Sequence, residues 1–360
     1  MTSKERVVKT LNREPVDCLP VDYLFADNKT LHKFSESFGM SVDNFLDYLG
    51  VDIRNLYAMD DIQLFISNSE LMEFAFKNGF ARRDEKDKEV AYDRWGVGWH
   101  MNSDGQRPVS RVMENVEEIP DYQAPDPIKD GQFYDAERNI RKHNDKGYAV
   151  GIVQYYGIYE RGWLIRGFED FIIDCYENRE YVEILLDKIM NYKIQIAEEI
   201  VKYGVAFGHF GDDYGIQSGP LIPLDMWREL FKPRLAKIWD VYKRNNLPVV
   251  HHSCGDCMIY LDDMIEIGLN AIHPVQATAM DINELSRRYG SRLVFYGGID
   301  CRDILTTGTP EDIRKNVEQT VSVLGKNKGL ILAPINIMRN VPLDNFKALV
   351  ESVNKYKFYI

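Results

Sequence analysis

Through the second half of the chain, short apolar runs rich in β-branched residues alternate with amphipathic helical segments. That alternation admits little besides a parallel sheet with helices packed on it. The runs that read as strands are 149–155 (AVGIVQY), 205–210 (VAFGHF), 248–253 (PVVHHS), 271–275 (AIHPV), 293–298 (LVFYGG) and 329–334 (GLILAP). Two more precede them, 20–25 (PVDYLF) and 51–57 (VDIRNLY). Eight strands alternating with helices is the count of a closed (β/α)8 barrel, so the predicted fold class is α/β, a TIM barrel. Pro223, Thr309-Pro310 and Pro342 each open a segment with apolar residues at helical spacing, as proline in a first turn should.

Two stretches depart from the alternation. Residues 1–19 read as a helical extension ahead of the barrel. Residues 60–130 lack it, and 88–115 read as antiparallel strands around an Asn102-Ser103-Asp104-Gly105 turn. This predicts an insertion after the second strand, folded over the barrel mouth, within a single domain spanning 1–360. No Pro/Gly/Ser-rich linker divides the chain.

Charge and cysteine content exclude several classes. Lys plus Arg total 44 against 56 for Asp plus Glu, a net charge of −12, which argues against nucleic-acid binding. No apolar run approaches the ~18 residues of a membrane span. The charged N-terminus MTSKERVVKTLNREP lacks a signal core. Five cysteines scattered over 360 residues do not make a disulfide framework. These features predict a soluble cytoplasmic protein.

In a barrel the C-terminal strand ends converge on one pocket. Those ends carry Asp60-Asp61, Gln154-Tyr155-Tyr156, His209 with Asp212-Asp213 and Gln217, His251-His252-Ser253-Cys254-Gly255, Gln276, Asp300-Cys301 and Asn336. The sharpest element is His252-x-Cys254: an imidazole and a thiol two residues apart on a strand point to one side, as a soft metal such as zinc requires. A chance pair in a buried strand has the same appearance. Cys254-Gly-Asp-Cys257 also spells Cys-x-x-Cys, but a redox role needs a thioredoxin-like helix N-terminus, and the preceding His-His argues against it. The Asp212-Asp213 pair reads as a general acid/base, a metal ligand or the N-cap of the following turn, and two carboxylates at a strand end with Gln217 four residues after Asp213 favour a working role for at least one. His273 before Pro274 reads as a core histidine. No P-loop, GxGxxG, GxSxG or HExxH occurs. In the insertion, Tyr92, Trp95 and Trp99 read equally as a substrate wall or as packing.

The strings GDDYGIQSGPLIPLDMWRELFKPRLAKIWD and VVHHSCGD, with GLNAIHPVQ, LVFYGGIDCRDILTTGTPEDIRKNV and LAPINIMRNVPLDNFKALVES, resemble the uroporphyrinogen decarboxylase superfamily. NREPVDCLPVDY and LGVDIRNLY fit it as well, so the resemblance covers nearly the whole chain, loosely over 60–145. It implies a (β/α)8 barrel. The haem-pathway decarboxylases of that superfamily clamp a tetrapyrrole with an N-terminal Met-Arg-Gln-Ala-Gly-Arg segment. This chain has PVDYLFADNKTL there, without the arginines that would pair with carboxylates.

The other branch, corrinoid-dependent methyltransferases, implies a zinc held by His-x-Cys and a third ligand one or two residues after Pro334. His252 and Cys254 match, whereas Ile335 and Asn336 are poor zinc ligands. Cys301 is the softest substitute, with Asp213, Cys257 and His209 as alternatives.

The resemblance therefore implies a methyltransferase component of a demethylation system, acting on a small O-, N- or S-methyl compound. Zn2+ would be bound in the chain, cobalamin would arrive on a partner corrinoid protein, and a second copy of the chain is a further expected partner. Expected roles are catalysis for Asp213, Gln217 and Tyr156, substrate binding for Asp60, Gln154, Gln276, Asp300, Asn336 and Trp99, and metal binding for His252, Cys254 and Cys301. The alternatives are a metal-free decarboxylase or lyase using Arg54, Arg161, Arg166 or Arg339, and a non-catalytic barrel that binds a tetrapyrrole or corrinoid.

Overall fold

In a computed structural model describing residues 1–101 and 108–358, the chain begins with a helix, Ser3–Leu11, capped by Thr2 in a reciprocal box with Glu5. Strand β1 (Ile53–Tyr57) follows after two more helices. An antiparallel set then intervenes: β2 (Ala81–Arg83), β3 (Val90–Asp93), β4 (Gly98–His100) and β5 (Pro108–Ser110). The chain returns to the barrel with β6 (Ala149–Gln154) and β7 (Gly208–Gly211). A short antiparallel pair, β8 (Gly215–Ile216) and β9 (Gly219–Pro220), follows β7. The remaining strands are β10 (Val249–His252), β11 (Leu269–Val275), β12 (Val294–Ile299) and β13 (Leu330–Pro334).

The parallel sheet runs β1-β6-β7-β10-β11-β12-β13, with helices following its strands. The eighth expected strand, 20–25, is present as an irregular segment that closes the ring. Leu332 N donates to Pro20 O at 2.9 Å and Asp22 N to Leu332 O at 3.1 Å, while on the other side Asp52 N donates to Val21 O at 2.8 Å. The irregularity has a cause: Pro20 has no N–H, and Val21 N is taken by the Asp52 carboxylate at 2.8 Å instead of by a strand.

Pleating decides what each strand offers to the interior. Ala149, Phe207, Val250, Ala271, Val294, Ile331 and Ala333 cluster inside the barrel, with Val7 and Leu11 of the first helix packed against them. Two residues farther along, the same faces carry His209, His252, His273 and Tyr296. Gln154 and His251, on alternate positions, face the helical layer. Gln154 Nε2 donates to Tyr242 OH at 2.7 Å, and the His251 ring packs 5.3 Å from Trp239.

The insertion matches its expected position after β1 and folds onto the helices Ile158–Arg166 and Arg179–Ile200. Val112 N and Met113 N donate to Ile165 O at 2.8 and 3.1 Å, and Lys188 Nζ donates to the carbonyls of Ile119, Pro120 and Tyr122. The Asn102–Gly105 turn lies outside the described residues. No helix among the described residues is long and apolar enough to cross a membrane.

Candidate metal and active site

The site starts with β10. Its last residue, His252, points inward, and Cys254 follows two residues later, where the strand gives way to a turn at Gly255 (φ +73°). Only glycine fits there: a Cβ on Gly255 would stand 2.4 Å from the Gly215 backbone. The close passage of the β7–β8 loop over this turn carries Asp213 to Cys254. Asp213 Oδ1 accepts from Cys254 N at 2.7 Å, and Gln276 Oε1 accepts from Gly255 N at 2.8 Å.

Among the described residues, Asp213, His252 and Cys254 form a group whose donor atoms all lie within 4.8 Å of one another. His252 Nε2 is 3.4 Å from Cys254 Sγ and 3.6 Å from Asp213 Oδ1. Zinc bonds of about 2.1 Å to N or O and 2.3 Å to S, at tetrahedral angles, put donor pairs about 3.4–3.6 Å apart. The donor set therefore fits zinc in size and softness. It fits in charge too, since a thiolate and a carboxylate neutralise a divalent ion while the imidazole stays neutral. Three protein ligands leave a fourth position for substrate.

Burial sets the protonation of the surrounding groups. It pushes the Cys254 thiol well above its usual range, with the Asp213 charge adding to the effect, and it lowers His252. His209, whose Nδ1 lies 3.2 Å from Asn55 Oδ1, is pushed down to about 3 by burial and by neighbouring His252. The thiol would lose its proton on meeting a cation.

Asp212 points the other way. Its carboxylate accepts from Ile158 N, Tyr159 N and Glu160 N at 2.7, 2.9 and 2.8 Å and from Tyr214 OH at 2.6 Å, so it caps the helix Ile158–Arg166. Despite those four donors, burial raises it to about 6. That capped turn also presents Glu160, whose Oε2 accepts from Asp213 N at 3.2 Å. Burial, then the charges of Asp213 and Asp212, push its carboxyl well above the normal range.

The other expected site residues divide. Gln276 reaches the cluster through Gly255, and exposed Gln217 joins its rim, with Nε2 3.4 Å from Gln276 Oε1. Tyr156, in a left-handed conformation (φ 49°), packs its ring 5.7 Å from Trp99. Several placements correct the sequence reading. Gln154 faces the helices, because alternation on β6 turns it outward. Asp60 lies under the insertion, accepting from Gln132 Nε2 at 2.5 Å and from Tyr192 OH. Trp99 is 1% exposed and donates Nε1–H to Asp93 at 3.0 Å, so it packs the insertion instead of walling an open pocket. Cys301 is outside the metal-ligating group; its thiol is buried and 3.6 Å from Ile299 O. Asp300 holds its own loop, accepting from Arg302 N and Asp303 N, and Asn336 is exposed with φ 62°.

The four candidate cations are committed elsewhere. Arg54 binds Asp47 and two carbonyls, Arg161 is fully buried between Asp61 and Asp93, Arg166 pairs with Asp174, and Arg339 pairs with Asp27. A cavity of about 460 Å3, lined in part by Arg6, Asp17, Asp52 and Tyr148, includes none of the strand-end residues. Glu160 carries no motif that marks it in the sequence, and His273 is a core histidine as expected, 1% exposed, whose Nδ1 also lies 2.9 Å from His252 Nδ1. An acidic residue four positions after Tyr156 and the period-two phase of β11 were the available signals.

The family model for uroporphyrinogen decarboxylase (URO-D) matches residues 90–356. The methylcobamide:CoM methyltransferase MtbA of Methanosarcina acetivorans is 23% identical over 362 residues, covering 99% of both chains. The uroporphyrinogen decarboxylase of Christiangramia forsetii is 28% identical over 185 residues, 51% of each chain. The structure of a methyltransferase from Methanosarcina mazei superposes over 100% of both chains with a TM-score of 0.73 at 18% identity, which establishes the shared fold. With its barrel, its strand-end cluster and most of its length matched, the chain belongs to the uroporphyrinogen decarboxylase family.

Proposed function

We propose that this protein is the methyltransferase component of a corrinoid-dependent demethylation system in the cytoplasm. It would move a methyl group between a small O-, N- or S-methyl compound and a corrinoid carried on a partner protein. The observation that carries this reading is the Asp213–His252–Cys254 group at the barrel mouth, with His252 Nε2 3.4 and 3.6 Å from its two neighbours. Full-length similarity to proteins named methylcobamide:CoM methyltransferases supports it.

These three residues would hold Zn2+, with Asp213 in the place expected of Cys301. When bound, the ion would supply Lewis acidity toward a substrate heteroatom. The chain's own groups do the rest. The Cys254 amide, bonded to Asp213, fixes the carboxylate against the thiol. Glu160 Oε2 accepts from Asp213 N, and burial beside Asp213 and Asp212 favours its protonated form, so it would serve as a proton donor next to the cluster. Gln217 and Gln276 form the polar rim facing substrate. The decarboxylase alternative lacks support, since none of its four candidate cations is free of carboxylate partners.

Metal analysis of purified protein tests the proposal. The parent and Cys301→Ser should carry about one zinc per chain, and Cys254→Ser and Asp213→Ala far less. Methyl transfer from methylcobalamin to thiols, followed optically, should fall in parallel. Equally negligible zinc in all four proteins would reject the metal centre, and loss of zinc in Cys301→Ser alone would reject this ligand set.

A further inference from the structure

His252 and His273 are paired in register on neighbouring parallel strands, so both rings point into the barrel. Their Nδ1 atoms lie 2.9 Å apart, a distance that requires one proton between two nitrogens. The other side of His252 indicates which ring carries it. Nε2 faces Cys254 Sγ at 3.4 Å and Asp213 Oδ1 at 3.6 Å, and a ring that offers its Nε2 lone pair to an ion between those two groups carries its proton on Nδ1. His273 must then accept at Nδ1. Its ring is wedged against Tyr296, centroids 4.4 Å apart, and Tyr296 OH is itself held by Asp22, which keeps His273 from turning away. His273 is 1% exposed, and its Nε2 has no hydrogen-bond partner.

We propose that His273 is a positioning residue: it holds His252 with its proton on Nδ1, so that the Nε2 lone pair is aimed between Asp213 and Cys254 before any ion arrives. The inference rests on the zinc reading above and deepens it, because an oriented imidazole is a better ligand than one that must change tautomer on binding.

The test uses the full chain. In metal-free protein labelled with 15N at histidine, the ring shifts of His252 report its tautomer. The Nδ1–H form is expected in the parent, and its loss in His273→Leu. Zinc affinity, measured by competition with a chromophoric chelator, should weaken about 10–100-fold in His273→Leu. His273→Asn, which restores an acceptor near the Nδ1 position, should recover most of that loss. The Nε2–H form in the parent would overturn the proposal, and needs no variant to detect. So would equal zinc affinity in the parent and a His273→Leu protein of unchanged thermal midpoint. A parent with the Nδ1–H form but no affinity for zinc would sink the metal reading and leave the His252–His273 bond standing.

Discussion

Truncating Trp99 to alanine separates a packing residue from a substrate wall, and the structure sets the size of the answer. The ring is 1% exposed, lies 5.7 Å from Tyr156, and donates Nε1–H to Asp93 Oδ2 at 3.0 Å. Removing a buried Trp side chain costs about 3–5 kcal/mol in lost contacts and residual cavity. The lost hydrogen bond adds little beyond that, because Asp93 keeps its partners: Arg161 reaches the same oxygen at 3.0 Å, and Val97 N donates to the other at 3.0 Å. An unfolding entropy of about 2.1 cal/mol/K per residue over 360 residues gives about 0.75 kcal/mol/K, so the midpoint should fall by about 4–7 °C. Trp99→Phe keeps most of the volume, and the smaller ring should cost about 1–2 kcal/mol, chiefly in lost packing. Scanning calorimetry of the three proteins, with KM for the methyl substrate measured on the folded fraction, makes the comparison. A midpoint unchanged in Trp99→Ala alongside a raised KM would refute the packing argument.

Two further expectations come from buried charges. Arg161→Ala leaves Asp93 without a charged partner and Asp61 with only Lys193 at 3.8 Å, and should cost about 3–5 kcal/mol in urea unfolding. A loss under about 1 kcal/mol would mean those carboxylates are not buried as described. Asp22 is pushed up to about 6 by burial, against the opposing bond from Tyr296. The folded state therefore binds a proton that the unfolded chain releases near pH 4. The contribution of Asp22 to stability is full below that pH and is lost as pH rises to about 6, a change of about 3 kcal/mol. Asp22→Asn should remove this slope, and a parent-minus-variant difference that does not change between pH 4 and 7 would exclude the raised pKa.

Local signals in the chain were enough for the barrel, for the place of the insertion after the 51–57 strand, and for His252 and Cys254 on one face. Those features follow from period-two and period-3.6 patterning and from a two-residue spacing, all of which act over short stretches of chain. The phase of each strand is legible by the same rule: Gln154 stands near the C-terminal end of β6, but alternation turns it to the helical layer, where it donates to Tyr242 OH. What needed the fold were relations between distant segments. Asp213 is a candidate ligand and Asp212 a cap because the β7–β8 loop crosses the turn at Gly255, a contact across 41 residues from Asp213 to Cys254. Arg161 reads as a free cation in the sequence and is neutralised by Asp61 and Asp93, 100 and 68 residues away. The His252–His273 bond depends on strand register, and the burial of Glu160 on the packing around its helix. Side-chain chemistry and local periodicity belong to the sequence itself; partners, burial and hence protonation are set by which segments meet in three dimensions.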